Sequence, residues 1–173
     1  MKKYVFVFVA FALVFASCGT VQSIIKSTFP YTTTLVIPAS SGTGTTLTAV
    51  SQGSSFDQNF TKNGNSTRVN NVRIVSAKMT AMVPSDFNIG NLTSAKIYMA
   101  KANGDGEVLV ASRTDIGANS GNSITMDIDN SHFLDELVRE KNVRIKMVYQ
   151  LGNKITLDAS LRVVLGIAAD PVQ

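Results

Sequence analysis

The chain contains almost none of the cysteine and histidine side chains on which zinc and thiol redox sites depend. Its 173 residues include one cysteine, one histidine and no tryptophan. A zinc site built from several His and Cys ligands is therefore excluded. With a single cysteine, no disulfide can cross-link the chain, so the core must be stable without one.

The apolar run at the N-terminus is too short to cross a bilayer. It extends over 13 uncharged residues from Tyr4 to Ala16, whereas a transmembrane helix needs about 20 residues. Lys2 and Lys3 precede the run, and small residues end it. This order predicts a secretory signal peptide over residues 1–17.

The only cysteine, Cys18, directly follows this segment. The sequence Phe15-Ala16-Ser17-Cys18 resembles the lipobox of bacterial lipoproteins, in which the cysteine is acylated and becomes the new N-terminus. It departs from the commonest pattern at Phe15, where leucine is usual. Such relaxed boxes occur in small envelope lipoproteins of Bacteroidota, and the Ser/Thr/Asn-rich remainder of the chain is similar to theirs. An incidental thiol after an ordinary cleavage site is the alternative.

The resemblance implies that Cys18 carries acyl chains such as palmitate and that the membrane is its partner. One acyl chain binds only marginally, at about 0.8 kcal/mol per buried methylene, whereas two or three hold a protein stably. The resemblance also implies the cell outer membrane. The periplasmic side is favoured, because Gly19 to Ser23 lacks the acidic run that often marks surface export.

The charge balance does not predict a nucleic-acid partner. The formal net charge is +4, but Lys2 and Lys3 belong to the signal peptide, which leaves about +2 for the remaining chain. Export also argues against nucleic acid. No motif in the sequence indicates a cofactor.

Residues 18–30 are expected to form the lipidated cysteine and a tether, followed by one domain over 31–168 and a tail over 169–173. Apolar residues recur at helical spacing in the tether, which leaves open a short amphipathic helix or an irregular segment. They are Val21, Ile24, Ile25 and Phe29.

Alternation of period two dominates the chain after residue 30 and predicts strands. The predicted strands are Tyr31–Ile37, Thr46–Val50, a segment with Phe56, Gln58 and Phe60, Asn71–Pro84, Leu92–Lys101, Glu107–Ser112 and Ser123–Asp129. The long segment from Asn71 to Pro84 is expected to bury Val75, Ala77, Met79, Ala81 and Val83. Ser123–Asp129 is expected to bury Ile124, Met126 and Ile128.

The last two predicted strands cover 143–150 and 155–167, with Met147 and Leu157 in their inward apolar sets. They are predicted to pair as a hairpin. A three-residue loop, Gly152 to Lys154, places Met147 opposite Ala159 and directs both apolar sets to one core. A two-residue turn would place Met147 opposite Asp158, on the wrong face.

One short crossover helix is predicted near residues 131–141. Asn130 or Ser131 is the expected cap, and acidic residues precede basic ones along the segment. Its apolar stripe is Phe133, Leu134, Leu137 and Val138.

About eight or nine strands, one helix and no βαβ alternation predict an all-β fold. The expected architecture is an antiparallel β-sandwich of immunoglobulin-like or jelly-roll type. The alternative is a closed barrel of the same strands.

No catalytic site is predicted. His132 is the only histidine, and no Gly-x-Ser-x-Gly motif accompanies it. Asn103 to Gly106 imitates part of a calcium loop but lacks two charged ligands, so it predicts a hairpin turn. Asp127 and Asp129 share one strand face and would suit acid–base hydrolysis of a glycan, although solvated surface positions explain them more simply.

A basic patch is predicted on the solvent face of the last hairpin. Its members are Arg144, Lys146, Lys154 and Arg162. Such a patch attracts lipid headgroups or acidic polysaccharide, or it protects the sheet from aggregation.

The sequence therefore predicts a non-enzymatic, lipid-anchored envelope lipoprotein that acts as a binding or structural accessory module. One alternative is a carbohydrate-active hydrolase that uses surface carboxylates. Another is a subunit of a surface fibre or secretion assembly, which would show an open sheet edge near Thr32 to Ile37.

Overall fold

Nearly all the period-two segments form strands in the computed structural model, which describes residues 27–40, 42–56 and 69–171. The strands are β1 (Ser27–Ile37), β2 (Thr46–Val50), β3 (Val69–Val83), β4 (Leu92–Lys101), β5 (Val108–Arg113), β6 (Ser123–Thr125), β7 (Asp127–Ile128), β8 (Val143–Leu151) and β9 (Ala159–Pro171). They form two sheets, in the orders β1-β9-β3-β6 and β2-β8-β4-β5-β7. All their pairings are antiparallel. The predicted antiparallel β-sandwich is confirmed.

The core lies between the two sheets and is built from alternate residues of their strands. In β8 every odd-numbered residue from Val143 to Leu151 is buried, and the residues between them are half-buried. β9 contributes Leu161, Val163 and Leu165 to the same core. Each apolar side chain removed from water contributes about 25 cal/mol per Å² of buried area, and this term stabilises the sandwich without a disulfide.

The prediction that β8 and β9 pair as a hairpin is wrong. β8 lies between β2 and β4, while β9 lies between β1 and β3 in the other sheet. Met147 therefore pairs with Ala49 and Ile97 instead of Ala159. Alternation specifies which side chains face the core, but two strands on opposite sheets meet that requirement as well as two neighbours do.

The segment between these strands crosses from one sheet to the other. Ile155 is buried and forms a bridge with Ser40, with N–H to carbonyl distances of 3.0 Å in both directions. Leu157, which the alternation places inside, is 66% exposed. The crossing interrupts the strand, so the alternation does not continue through it.

Strand β3 changes face along its length because it contains bulges. Ile74 pairs with Ile167 and Ser76 pairs with Gly166, so Val75 is the extra residue of a bulge. Val75 is consequently 45% exposed, and Val83, beyond a second irregularity, is 63% exposed. The predicted burial of these two residues is wrong, whereas the predicted burial of Ala77, Met79 and Ala81 is confirmed.

The segment 123–129 is divided between the two sheets instead of forming one strand. β6 pairs with β3, and β7 pairs with β5. Met126 is buried between them, as predicted, but Ile128 is 40% exposed. A chain that changes sheets at a corner cannot keep one face inward throughout.

The helix is shorter than predicted. Helix α1 covers Asp135–Arg139 and has no side-chain cap. The N–H of Ser131 donates to Asp129 Oδ1 at 2.9 Å, so Ser131 closes a turn before the helix instead of capping it. Of the predicted stripe, Leu134, Leu137 and Val138 are buried and Phe133 is 58% exposed.

The sheets extend beyond the predicted domain limits. β1 begins at Ser27, four residues before the predicted strand, and β9 continues to Pro171. Phe29 thus belongs to β1 and is buried. Residues 18–26 of the tether, with Cys18, lie outside the described residues, as do Gln58 and Phe60. Phe56 is buried, but Ser54 beside it forms only an isolated bridge with Val143.

The predicted hairpin between β4 and β5 is confirmed. The residues that resemble a calcium loop, Asn103 to Gly106, form its turn. Asn103 Nδ2 donates to Asp105 Oδ2 at 2.7 Å, and the Asp105 N–H donates to Asn103 Oδ1 at 3.0 Å. Gly104, with φ of 99°, and Gly106, with φ of 62°, supply the left-handed backbone. The polar side chains of the turn bind each other.

The sandwich has two distinct ends. At the N-terminal end β1, β3 and β8 begin, and α1 lies beside β3, with the Leu134 N–H donating to the Val72 carbonyl at 2.8 Å. At the loop end the same strands finish, and the connecting segments are 38–45, 84–91, 114–122 and 152–158. The two ends are about 33 Å apart along β1, at 3.3 Å per residue.

A buried tyrosine joins the sheets at the N-terminal end and makes stability depend on pH. The Tyr31 hydroxyl donates to the Val143 carbonyl at 3.2 Å and shares a hydrogen bond of 2.7 Å with Ser54 Oγ. Burial raises the pKa of Tyr31, although the Ser54 hydrogen bond acts in the opposite direction. Burial also raises the pKa of Tyr149.

We expect the free energy of unfolding to fall at alkaline pH. The unfolded chain loses the Tyr31 proton near its ordinary pKa of 10.0, and the folded chain loses it only at higher pH. The contribution of Tyr31 to the free energy of unfolding is fully present below the unfolded pKa and is lost as pH rises through the folded pKa. Urea unfolding followed by circular dichroism from about pH 8 to about pH 11 should show a shallower decline for Tyr31→Phe than for the wild type. Equal declines in the two proteins would contradict the assignment to Tyr31. The decline that remains in Tyr31→Phe is assigned to Tyr149, whose pKa is also raised by burial.

Candidate functional site

The predicted lipid attachment site precedes the described sandwich by a short segment. Cys18 lies outside the described residues, and the described chain begins nine residues later, at Ser27. Ser27 is the first residue of β1, which forms one edge of the four-stranded sheet. The chain therefore enters the sandwich at its N-terminal end.

The four residues of the predicted basic patch do not share a face. Arg144 and Lys146 lie on β8, whose outward residues belong to the five-stranded sheet, whereas Arg162 lies on β9 in the other sheet. Lys154 is exposed in the crossing segment at the loop end. The outer faces of stacked sheets point in opposite directions, so the single patch is ruled out together with the hairpin that would have formed it.

The outer face of the five-stranded sheet brings Arg144 and Lys146 together with residues from two neighbouring strands. Strand register forms three rows, Val50–Lys146–Tyr98, Thr48–Val148–Lys96 and Thr46–Gln150–Ser94. A groove of about 270 Å³ lies over the second and third rows and part of the first. We call it the sheet groove; its lining is Thr46, Ser94, Lys96, Tyr98, Val148, Tyr149 and Gln150.

Polar contacts hold side chains in place within the sheet groove and next to it, where Lys146 lies beside Tyr98. Lys146 Nζ lies 2.5 Å from Glu107 Oε1 and 5.0 Å from the centre of the Tyr98 ring. The ammonium is thus fixed between a carboxylate and an aromatic face. At the other end of the groove, Gln150 Nε2 donates to Thr46 Oγ1 at 3.3 Å.

Two cations on this face have no carboxylate partner within the described part of the chain. Lys96 is exposed and Arg144 is half-buried, and neither forms an ion pair with a described residue. Arg144 Nε is buried and donates no hydrogen bond to a described residue, and the guanidinium packs against the turn at Gly104. An unpaired charge on a partly covered surface favours anions.

The two carboxylates that glycan hydrolysis would use have separate partners. Asp127 lies 3.5 Å from Arg113, whereas Asp129 accepts hydrogen bonds from the Ser131 hydroxyl and N–H. These two bonds, the hydroxyl first, lower the pKa of Asp129. A general acid needs a raised pKa, so the surroundings of Asp129 favour the opposite state.

His132 is placed beside Ser131 but not in a catalytic order. Ser131 Oγ lies 2.9 Å from His132 Nδ1 and 2.5 Å from Asp129 Oδ1. In a catalytic triad the histidine lies between the serine and the acid, and here the serine lies between the other two. No group of three or more His, Cys, Asp or Glu side chains within the described ranges is close enough to hold a metal ion.

The loop end carries an exposed apolar patch that the alternation in the sequence did not predict. Val36 and Val83 lie on either side of Ser160 in the strand register, and Leu157 follows in the crossing segment. They are 52%, 63% and 66% exposed. A depression of about 500 Å³ beside them is lined by Ala39, Val83, Pro84, Thr156, Leu157 and Asp158. Alternation places Val83 and Leu157 inside, which is why the patch could not be predicted.

The sheet groove also contains residues that the sequence did not single out. Lys96, Tyr98 and Gln150 all occupy outward positions of predicted strands, and this alternation is the only signal for them. Lys96 and Tyr98 lie near Lys146 because β4 pairs with β8, and the local pattern does not specify that pairing.

No protein-family model and no curated protein matches this sequence. Within the described residues, no helix has the length and apolar character needed to cross a membrane.

The loop end is held together by close backbone contacts at Gly90. A Cβ atom there would lie 2.3 Å from the Ala118 carbonyl oxygen and 2.6 Å from the Gly117 carbonyl oxygen. Asn88 Nδ2 also donates to the Ala118 carbonyl, at 2.6 Å. Two loops can approach so closely only because residue 90 has no side chain.

We expect Gly90→Ala to lower the free energy of unfolding by about 1–3 kcal/mol, as overpacking against backbone atoms does. Gly53→Ala is the matched control, because its Cβ would meet no atom closer than 3.8 Å. Urea unfolding of both variants measures the difference. Equal stability of the two proteins would show that the 84–91 and 114–122 segments separate at little cost.

Proposed function

We propose that this protein is a lipid-anchored envelope lipoprotein whose β-sandwich serves as a non-enzymatic binding or structural module. The observation that carries the proposal is the position of the only cysteine, directly after Phe15-Ala16-Ser17 and the short apolar run. An incidental thiol has no reason to occur at the one place where acylation requires it.

The geometry of the sandwich supports a module held by one end. Eight residues separate Cys18 from Ser27, where β1 begins at the N-terminal end. β1 then runs for 11 residues toward the loop end. The apolar patch at the loop end therefore lies at the end of the sandwich opposite Ser27, the described residue nearest to Cys18 in sequence.

The proposed location is the cell envelope, with acyl chains on Cys18 in the outer membrane. The periplasmic side is favoured over the surface because Gly19 to Ser23 contains no acidic residue. The absence of enzymatic activity is part of the proposal. It is supported by the separate partners of the two carboxylates. Asp127 contacts Arg113, whereas Asp129 contacts Ser131.

One observation favours a second candidate, a subunit of a surface fibre or secretion assembly. β1 is the edge strand of its sheet, and its 11 residues carry no charge. Edge strands of monomeric proteins are commonly protected by charged side chains. Under this candidate, gently solubilised protein would migrate as a series of multiples in native electrophoresis, whereas a single module would give one band.

The anchor is tested by Cys18→Ala in the full chain. We expect the variant to lose incorporation of labelled palmitate and to move from the membrane fraction to the soluble fraction, since no acylated residue remains. Ser17→Ala is the matched control: it keeps a small residue before the cysteine and should be labelled and sedimented like the wild type. Unchanged membrane retention of the Cys18→Ala protein would overturn the proposed anchor.

A further inference from the structure

We propose that the sheet groove binds an acidic glycan, a chain of sugars that carry carboxylate groups. This inference rests on the proposed binding function and names its ligand. It concerns residues of three adjacent strands, β2, β8 and β4, and does not involve Cys18 or the loop end.

The dimensions of this face fit a short stretch of an extended polymer. The outward residues of β8 from Arg144 to Gln150 span about 20 Å, at 3.3 Å per residue. β2 and β4 flank them over most of that length, which gives a width of about 10 Å at the usual strand spacing.

The side chains of the sheet groove match the two kinds of surface that a sugar ring presents. Tyr98 and Val148 are half-buried apolar surfaces on adjacent strands, and the C–H face of a sugar ring packs on such side chains. Thr46, Ser94 and Gln150 line the same groove and offer hydroxyl and amide groups to sugar hydroxyls. An extended peptide would instead seek a free strand edge. β8 and β4 supply six of the seven lining residues and are paired on both sides, so of the three strands only β2, which supplies Thr46, has a free edge.

The charges of this face select an acidic ligand. Lys146 is already held by Glu107 at 2.5 Å, whereas Lys96 and Arg144 have no ion pair within the described residues. Lys96 stands at the middle of the groove beside Val148. A carboxylate there would form a charge-assisted hydrogen bond with the Lys96 ammonium.

The test uses the full-length protein in detergent and a defined probe, an oligomer of galacturonic acid, in isothermal titration calorimetry. The comparison ligand is the same oligomer with its carboxylates methyl-esterified. We expect binding of the acid form that weakens with added salt, and little binding of the ester. Lys96→Met keeps the aliphatic stem and should weaken binding about tenfold, the loss expected for one charge-assisted hydrogen bond.

Lys78→Met is the matched control, because Lys78 is an exposed lysine on a strand of the other sheet. It should bind the acid oligomer like the wild type. Absence of binding, equal binding of the ester, or an equal loss in both lysine variants would overturn the proposal, and circular dichroism verifies that both variants are folded. Cys18→Ala in the same titration separates the two hypotheses. This variant should no longer associate with the membrane but should bind the acid oligomer like the wild type. A wild-type protein that is membrane-bound but does not bind the oligomer would disprove only the glycan site.

Discussion

The pairing of β9 between β1 and β3 is the constraint on which the rest of the sandwich depends. β1 pairs with β9 over its full length, from Ser27 to Ile37, and β3 pairs along the opposite edge. The first and last described strands are therefore neighbours, and Ser27 and Pro171, where the described sandwich begins and ends, both lie at the N-terminal end. Because β9 is occupied on both sides, β8 must pair elsewhere, and the second sheet forms around it between β2 and β4.

The sequence was informative about strands and much less so about their partners. Burial of one face requires alternation, so Thr46–Val50 and Leu92–Lys101 were predicted with the bounds that the structure has. Partner choice depends on where the chain turns and crosses. The bulge at Val75 and the crossing at Leu157 leave no distinct local signal, and each moved an apolar residue from the expected core to the surface.

The dependence on strand pairing also explains why the predicted basic patch was only partly correct. Arg144 and Lys146 are two residues apart on one strand, so their common face followed from period two alone. Arg162 was assigned to that face only through the assumed hairpin, and it lies on the other sheet. Lys96 and Tyr98 join Lys146 through β4, whose position next to β8 follows from tertiary pairing. Local patterns identify faces, whereas sites that span strands require the topology.

The strand directions define how a glycan bound in the sheet groove would be oriented on the sandwich. β1 and β8 both run from the N-terminal end to the loop end, and strands of stacked sheets keep their directions within about 30°. A polymer lying along β8 therefore runs between the N-terminal end and the loop end of the sandwich. Its position on the side of the sandwich leaves the apolar patch at the loop end uncovered, so glycan binding and a contact at that patch are compatible in one molecule.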